Sequence, residues 1–268
     1  MPLALEILRK TIPHRSPKNH LLKVRLHAPL ASLSLLCGIV FTYFYFLYTH
    51  DYPPGSYQRI ANYEADKVFQ TRLLVTSLVN VLEPSIPFLR STFQWAVPYP
   101  INYEVILQLI NAFFLATLIL LIRPLAEVLG YAITPASSFL ILLPVSWNYL
   151  FINGFIDGAG LYYPYDIPSI AFFAAGIILF MQKKWFWFYP LFILACLNRE
   201  SACFISLGGF LLALKTRESK FADLFKSNKR MLIQVAAQAG VWLTLRLILS
   251  YLFRNNPGEF FEKPHSMI

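Results

Sequence analysis

The chain has 268 residues, of which 57% are hydrophobic and only 14% charged, and its mean hydropathy is +0.52. A soluble domain carries about a quarter charged residues, so this composition excludes one and implies an all-α, polytopic membrane protein. The net charge of +9 does not point to nucleic acid, because most of the 23 Lys and Arg gather between apolar runs at intervals that fit one membrane face.

Residues 1–26 form a basic segment, with Arg9, Lys10, Arg15, Lys18, Lys23 and Arg25 against a single Glu6. The first long apolar run follows, from His27 to Thr49, and is long enough to cross a bilayer. No small-residue cleavage site follows it, so it reads as an uncleaved first span with a cytoplasmic N-terminus. Residues 27–253 then form one helical membrane domain and 254–268 an outer tail.

Residues 50–103 read as a large outer loop, opened by the turn signal Asp51-Tyr52-Pro53-Pro54-Gly55. Within it, residues 64–82 show apolar positions near helical spacing among Asp66, Lys67, Gln70 and Arg72, until Pro84 ends the pattern. This predicts an amphipathic helix lying on the membrane surface. Trp95 through Tyr103 has the Trp, Tyr and Pro mixture of a headgroup belt.

Further spans are expected at 104–122, ending at Arg123-Pro124, and at 133–152. A second outer segment carries Asp157 and Asp166, and a fourth span at 167–182 closes at Lys183-Lys184 with Trp185 and Trp187 as interfacial anchors. The runs 185–197 and 202–214 flank Asn198-Arg199-Glu200-Ser201. Each is short enough for a re-entrant segment, and together they could form one helix with a polar belt. Charge favours a hairpin, because Lys183-Lys184 and the basic stretch from Lys215 to Arg230 should share the cytoplasmic side. A seventh span at 231–253 completes a count of about seven. Most of the 14 acids then fall outside. There is no internal repeat of the kind common in secondary transporters.

Cys37, Cys196 and Cys203 lie in or beside apolar runs without CxxC spacing and read as buried thiols. The five histidines are scattered, so no metal site follows from them. Phosphate-cradling, HExxH, GxSxG and dinucleotide-binding motifs are all missing from the sequence. The chemistry on offer is carboxylates and arginines. Asp51, with Glu64 and Asp66 as alternatives, could take a proton from an acceptor hydroxyl, and Arg72, Arg199 and Arg246 could hold a phosphate. Each has a structural alternative. Asp51 suits a solvated turn, Glu64 and Asp66 suit a helix start, and Asp166 before Pro168 suits a helix N-cap. Arg199 and Glu200 could pair with each other at a hairpin tip. Arg246, inside the last span, could snorkel to the surface or meet an anionic headgroup. Gln108, Asn111, Gln234 and Gln238 suit interhelical hydrogen bonds.

Two stretches, Tyr165-Asp166-Ile167-Pro168-Ser169-Ile170-Ala171-Phe172-Phe173 and Leu191 through Ser201, resemble uncharacterised bacterial multi-pass proteins similar to the GT-C superfamily of membrane glycosyltransferases. The resemblance implies transfer of a sugar from a polyprenyl-phosphate carrier to an acceptor on the outer face of a bacterial inner membrane. It also implies Asp51 as the base, residues 64–82 as the surface helix, and Arg199 or Arg246 near the carrier phosphate. Beside what the resemblance implies, the residues themselves make Arg72, Asp166 and Glu200 further candidates for substrate binding with Arg199 and Arg246. A divalent metal assists some members, with acids as ligands. The pattern departs from the family in that Asp51 stands alone before Tyr52-Pro53-Pro54, where members often carry adjacent acids. Members also usually continue beyond seven spans, whereas this chain stops at Ile268, which leaves open a truncated reading frame or a fragment of a longer protein. Two other classes compete: a transporter or flippase for an anionic or lipid-linked substrate, and a non-catalytic membrane partner in an envelope assembly.

Overall fold

The computed structural model describes residues 28–88, 103–156, 160–213 and 229–258. The expectations for residues 1–26, Asp157, the belt before Tyr103, most of Lys215 to Arg230 and the last ten residues lie outside the described residues, as does the Asp51 side chain. The chain is mostly helical. Its helices are α1 (Ala28–Tyr48), α2 (Tyr57–Ala61), α3 (Lys67–Gln70), α4 (Leu73–Leu82), α5 (Tyr103–Val128), α6 (Leu142–Ser146), α7 (Asp166–Met181), α8 (Trp185–Asn198), α9 (Cys203–Ala213) and α10 (Lys229–Leu252). Two short strands, β1 (His50–Asp51) and β2 (Leu161–Tyr162), pair in parallel.

Among the described residues three helices, α1, α5 and α10, are long and apolar enough to cross a membrane. The 26 residues of α5 extend about 39 Å at 1.5 Å per residue. In α1 the polar side chains turn back on the backbone: Ser34 donates to the Leu30 carbonyl at 2.8 Å and Thr42 to that of Gly38 at 2.9 Å. These bonds satisfy hydroxyls that an apolar surrounding would otherwise leave unpaired. Gly38 is required for packing, since a Cβ there would collide with the Ala112 carbonyl of α5.

Three sequence expectations are corrected. The second span continues past Arg123-Pro124 to Val128, where the Arg123 guanidinium meets Glu127 one turn on at 2.9 Å. The stretch 133–152 is not one α-helix. It is a 3-10 segment (Ala136–Ile141), α6 and a π-helical segment (Trp147–Ile156), and Pro144 removes a backbone donor in its middle. Residues 64–82 form two helices, α3 and α4, broken at Thr71 and Arg72, because Arg72 adopts a non-helical conformation and turns its side chain inward.

Between α8 and α9 the chain reverses. Phe180 of α7 touches Phe188 near the start of α8, with ring centroids 5.8 Å apart. A Cβ on Gly209 near the end of α9 would fall 2.6 Å from the same ring. One straight helix could not bring residues 188 and 209 to one phenyl group, so the expected hairpin is present. The reversal falls at Arg199, which is fully extended, followed by a 3-10 turn (Glu200–Ala202).

Apolar side chains from these helices form three buried groups. Phe41, Tyr45, Leu115, Ile119 and Ile167 join α1, α5 and α7. Phe172, Phe180, Phe188, Phe192 and Ile205 join α7, α8 and α9. The third group, with Tyr57, Ile60, Phe69, Val79 and Ile106, seats the 57–82 segment on α5. That segment therefore lies against the bundle at the end where α1 finishes and α5 and α7 begin.

Candidate functional site

That end of the bundle holds two arrangements, one buried and charged, the other open and aromatic. The charged one begins at Arg72, which is 3% exposed. Its Nε and Nη2 donate to the two carboxylate oxygens of Glu200 at 3.0 and 2.5 Å, and its Nη1 reaches the Tyr165 hydroxyl at 2.5 Å. The guanidinium also lies 4.5 Å from the Tyr165 ring centroid and 5.0 Å from that of Phe69. Burial works against its charge, but Tyr165 and Glu200 hold Arg72 above its ordinary pKa.

Arg199 pairs with Asp166 at 2.5 Å. The expected Arg199–Glu200 pair is thus replaced by two crossed pairs, because the extended backbone at Arg199 sends consecutive side chains to opposite sides. Asp166 is the first residue of α7, not the residue before it, and its carboxylate is drawn to Arg199, so the N-cap expectation is corrected. Asn198 completes the junction by donating to the Tyr165 carbonyl at 2.9 Å and to the Ser169 hydroxyl at 2.8 Å.

Arg246 points inward and is 3% exposed, so it does not snorkel. It donates to the Thr71 hydroxyl at 3.1 Å and the Cys196 carbonyl at 2.7 Å, while its Nε has no hydrogen-bond partner among the described residues. Trp242, one turn earlier on α10, donates to the Glu200 carbonyl at 2.9 Å. Arg199 also lines a recess of about 30 Å³, with Ser169 and Ser201 at its wall, which is room for a water.

The second arrangement is a groove of about 410 Å³ between the end of α1, the start of α5 and β2. This is the volume of a small-ligand site. Tyr43, Phe46, Tyr103 and Tyr162 supply aromatic walls, and His50, Glu104 and Gln108 supply polar groups. Tyr43 and Leu47 at its α1 wall are exposed on the helix surface, so the groove opens sideways toward the apolar surroundings of α1 as well as toward solvent. The Asp51 backbone lies at its rim, next to His50 and paired with Tyr162.

The structure thus brings Arg72, Asp166, Arg199, Glu200 and Arg246 close to one another, but in the buried cluster and not in the groove. Glu64 is exposed. Asp66 immediately precedes α3, as acids at a helix start do, and a Cβ on Gly258 would lie 3.3 Å from its side chain. Neither lines the groove. Glu104 and His50 escaped the sequence reading as site residues, and only the position of Glu104 at the start of a span hinted at a membrane boundary. Of the four expected interhelical amides, Gln234 accepts from the Tyr189 hydroxyl of α8 at 2.7 Å, whereas Asn111 donates within its own helix to Leu107. Among the described residues no three His, Cys, Asp or Glu side chains gather as metal ligands.

Fold and composition together are those of a mostly helical protein with three helices among the described residues long and apolar enough to cross a membrane, consistent with a membrane protein. No protein-family profile, curated protein or solved structure matches the chain.

Proposed function

We propose that the protein is an integral membrane glycosyltransferase of seven spans that moves a sugar from a lipid-phosphate carrier to an acceptor hydroxyl at the outer face of a bacterial inner membrane. The observation that carries this reading is the groove. Its aromatic walls suit the apolar faces of a sugar ring, and Glu104, Gln108 and His50 can exchange hydrogen bonds with sugar hydroxyls. Its side opening along α1 would let a polyprenyl chain stay among lipid acyl chains while the headgroup enters.

In this mechanism the acceptor oxygen attacks the anomeric carbon as Asp51 takes its proton, and the bond from that carbon to the phosphate oxygen breaks. The electron pair leaves with the lipid phosphate, and a single displacement inverts the anomeric centre. A base at Asp51 would contribute about 10²- to 10⁴-fold to the rate. The resemblance of the Tyr165–Phe173 and Leu191–Ser201 stretches to GT-C-like proteins adds support. Arg199 and Arg246 are left without a direct role at the carrier phosphate in this reading, since each is already engaged inside the buried cluster.

The test uses purified protein in vesicles with radiolabelled short-chain polyprenyl-phosphate sugars and a soluble acceptor. Inverted product from the wild type and its loss in Asp51→Asn are expected. Movement of label across the bilayer with no new covalent product would point instead to a transporter. Undiminished transfer by Asp51→Asn would overturn the assignment of the base.

A further inference from the structure

The strands that form the polar rim of the groove are only two residues long. So short a ladder supplies too few hydrogen bonds to hold its own position, and packing must hold it instead. The packing is specific. Asp51 is paired with Tyr162, and the residue that follows each strand, Tyr52 or Tyr163, lies against Phe69. Tyr52 and Phe69 have ring centroids 5.4 Å apart, Tyr163 stacks on Phe69 at 6.2 Å and 7°, and the two tyrosines are 5.8 Å from each other. Phe69 also lies against the Arg72 guanidinium, which Glu200 holds through two hydrogen bonds. A continuous path therefore runs from the α8–α9 reversal through Glu200, Arg72 and Phe69 to the residues adjoining Asp51 and Tyr162.

We infer that Arg72 and Glu200 are positioning residues for the groove, acting through Phe69 on β1 and β2. This rests on the reading of Asp51 as the base, because what the path aligns is the backbone that carries it. Neither charged residue lines the groove, so neither would touch the sugar. Their effect would fall on the alignment of the base with the reacting carbon. A displacement of about 1 Å there costs about 10²-fold in rate, while binding of the headgroup by the aromatic walls would be little changed. A pair that merely stabilised the fold would instead lower the amount of active protein and leave the kinetics of the remainder alone.

The experiment compares Glu200→Gln and Phe69→Leu with the wild type in two measurements. In the transfer assay both variants should lose at least tenfold in kcat with the donor KM within twofold, and Glu200→Asp, which keeps the charge, should recover part of the loss. Independently of transfer, a His50→Cys reporter in a background of Cys37→Ala, Cys196→Ala and Cys203→Ala is labelled with a water-soluble maleimide. Its rate should change at least threefold in both variants, while a Gly130→Cys reporter at the opposite end of the bundle keeps its rate. Unchanged labelling at position 50, or equal changes at both reporters, would overturn the inference. If even the wild type transfers no sugar while the position 50 reporter alone responds, the proposed reaction fails and the mechanical link stands.

Discussion

Arg199 and Glu200 are neighbours in sequence whose charges leave the chain in opposite directions, Arg199 to Asp166 at the start of α7 and Glu200 to Arg72 in the loop after α3. The reversal between α8 and α9 is thereby fastened to two separate regions of the chain. A pair closed between the neighbours themselves would have fastened nothing.

Removing the Glu200 charge leaves a guanidinium that is 3% exposed without its carboxylate. Breaking a buried pair costs about 3–5 kcal/mol, but the Glu200 side chain is a third exposed and solvent recovers some of that. Glu200→Gln should therefore lose about 2 kcal/mol, read as a lower unfolding midpoint in detergent. Asp166→Asn should lose less, because its partner Arg199 is also a third exposed and can turn to water.

Arg246 offers a contrast. It is as buried as Arg72, yet its described partners are one hydroxyl and one carbonyl. Arg246→Met removes a poorly compensated charge and two hydrogen bonds, and so should cost about 1 kcal/mol or less. A greater loss than for Glu200→Gln in the same unfolding measurement would contradict this ranking.

Gly55 and Gly38 test packing. A Cβ on Gly55 would lie 2.7 Å from the Phe69 ring, and one on Gly38 would press into the α5 backbone. Overpacking of this kind costs about 1–3 kcal/mol. Gly55→Ala can be relieved by a shift of Phe69, whereas Gly38→Ala must push α1 away from α5. The Gly38 variant should therefore have the lower unfolding midpoint.

Tyr57 in α2 donates to Asn80 at 2.9 Å, and burial, with Glu83 adding to it, pushes its phenol up to about 12. An acid held protonated by folding gives stability that is complete below about pH 10, the ordinary tyrosine value, and is lost as pH rises toward about 12. Tyr57→Phe should flatten the fall in stability between those limits, and absorbance at 295 nm should lose one late-titrating phenol.

Cysteine reporters can check the arrangement of ends. Tyr63→Cys lies beside Phe253 at the loop-bearing end, and Lys183→Cys lies in the turn between α7 and α8. With seven crossings the two should be labelled from opposite sides of sealed vesicles. Labelling of both from one side would require a different path for α7.

Much of the helical layout was legible in the sequence because burial in an apolar medium leaves a one-dimensional trace. The runs at 27–49 and 167–182 carry no Asp, Glu, Lys or Arg, and the run at 231–253 carries Arg246 alone. The corresponding helices fall within two residues of those limits. Residues 133–152 were harder, since Pro144 and the π-helical turns interrupt a run whose composition resembles that of its neighbours. The break at Arg72 was hidden for another reason: helical spacing runs straight through it, and only a carboxylate 128 residues away explains why the backbone turns there.

The sequence by itself determined the solvent of this protein, the ends of α1, α7 and α10 and the reversal at Asn198 to Ser201, because hydrophobic run length and charge placement are local quantities. Only the tertiary structure decided which cation meets which anion, and that Glu104 and His50, not the arginines, border the open groove. Those choices depend on distances between residues far apart in the chain, and a linear pattern carries no record of them.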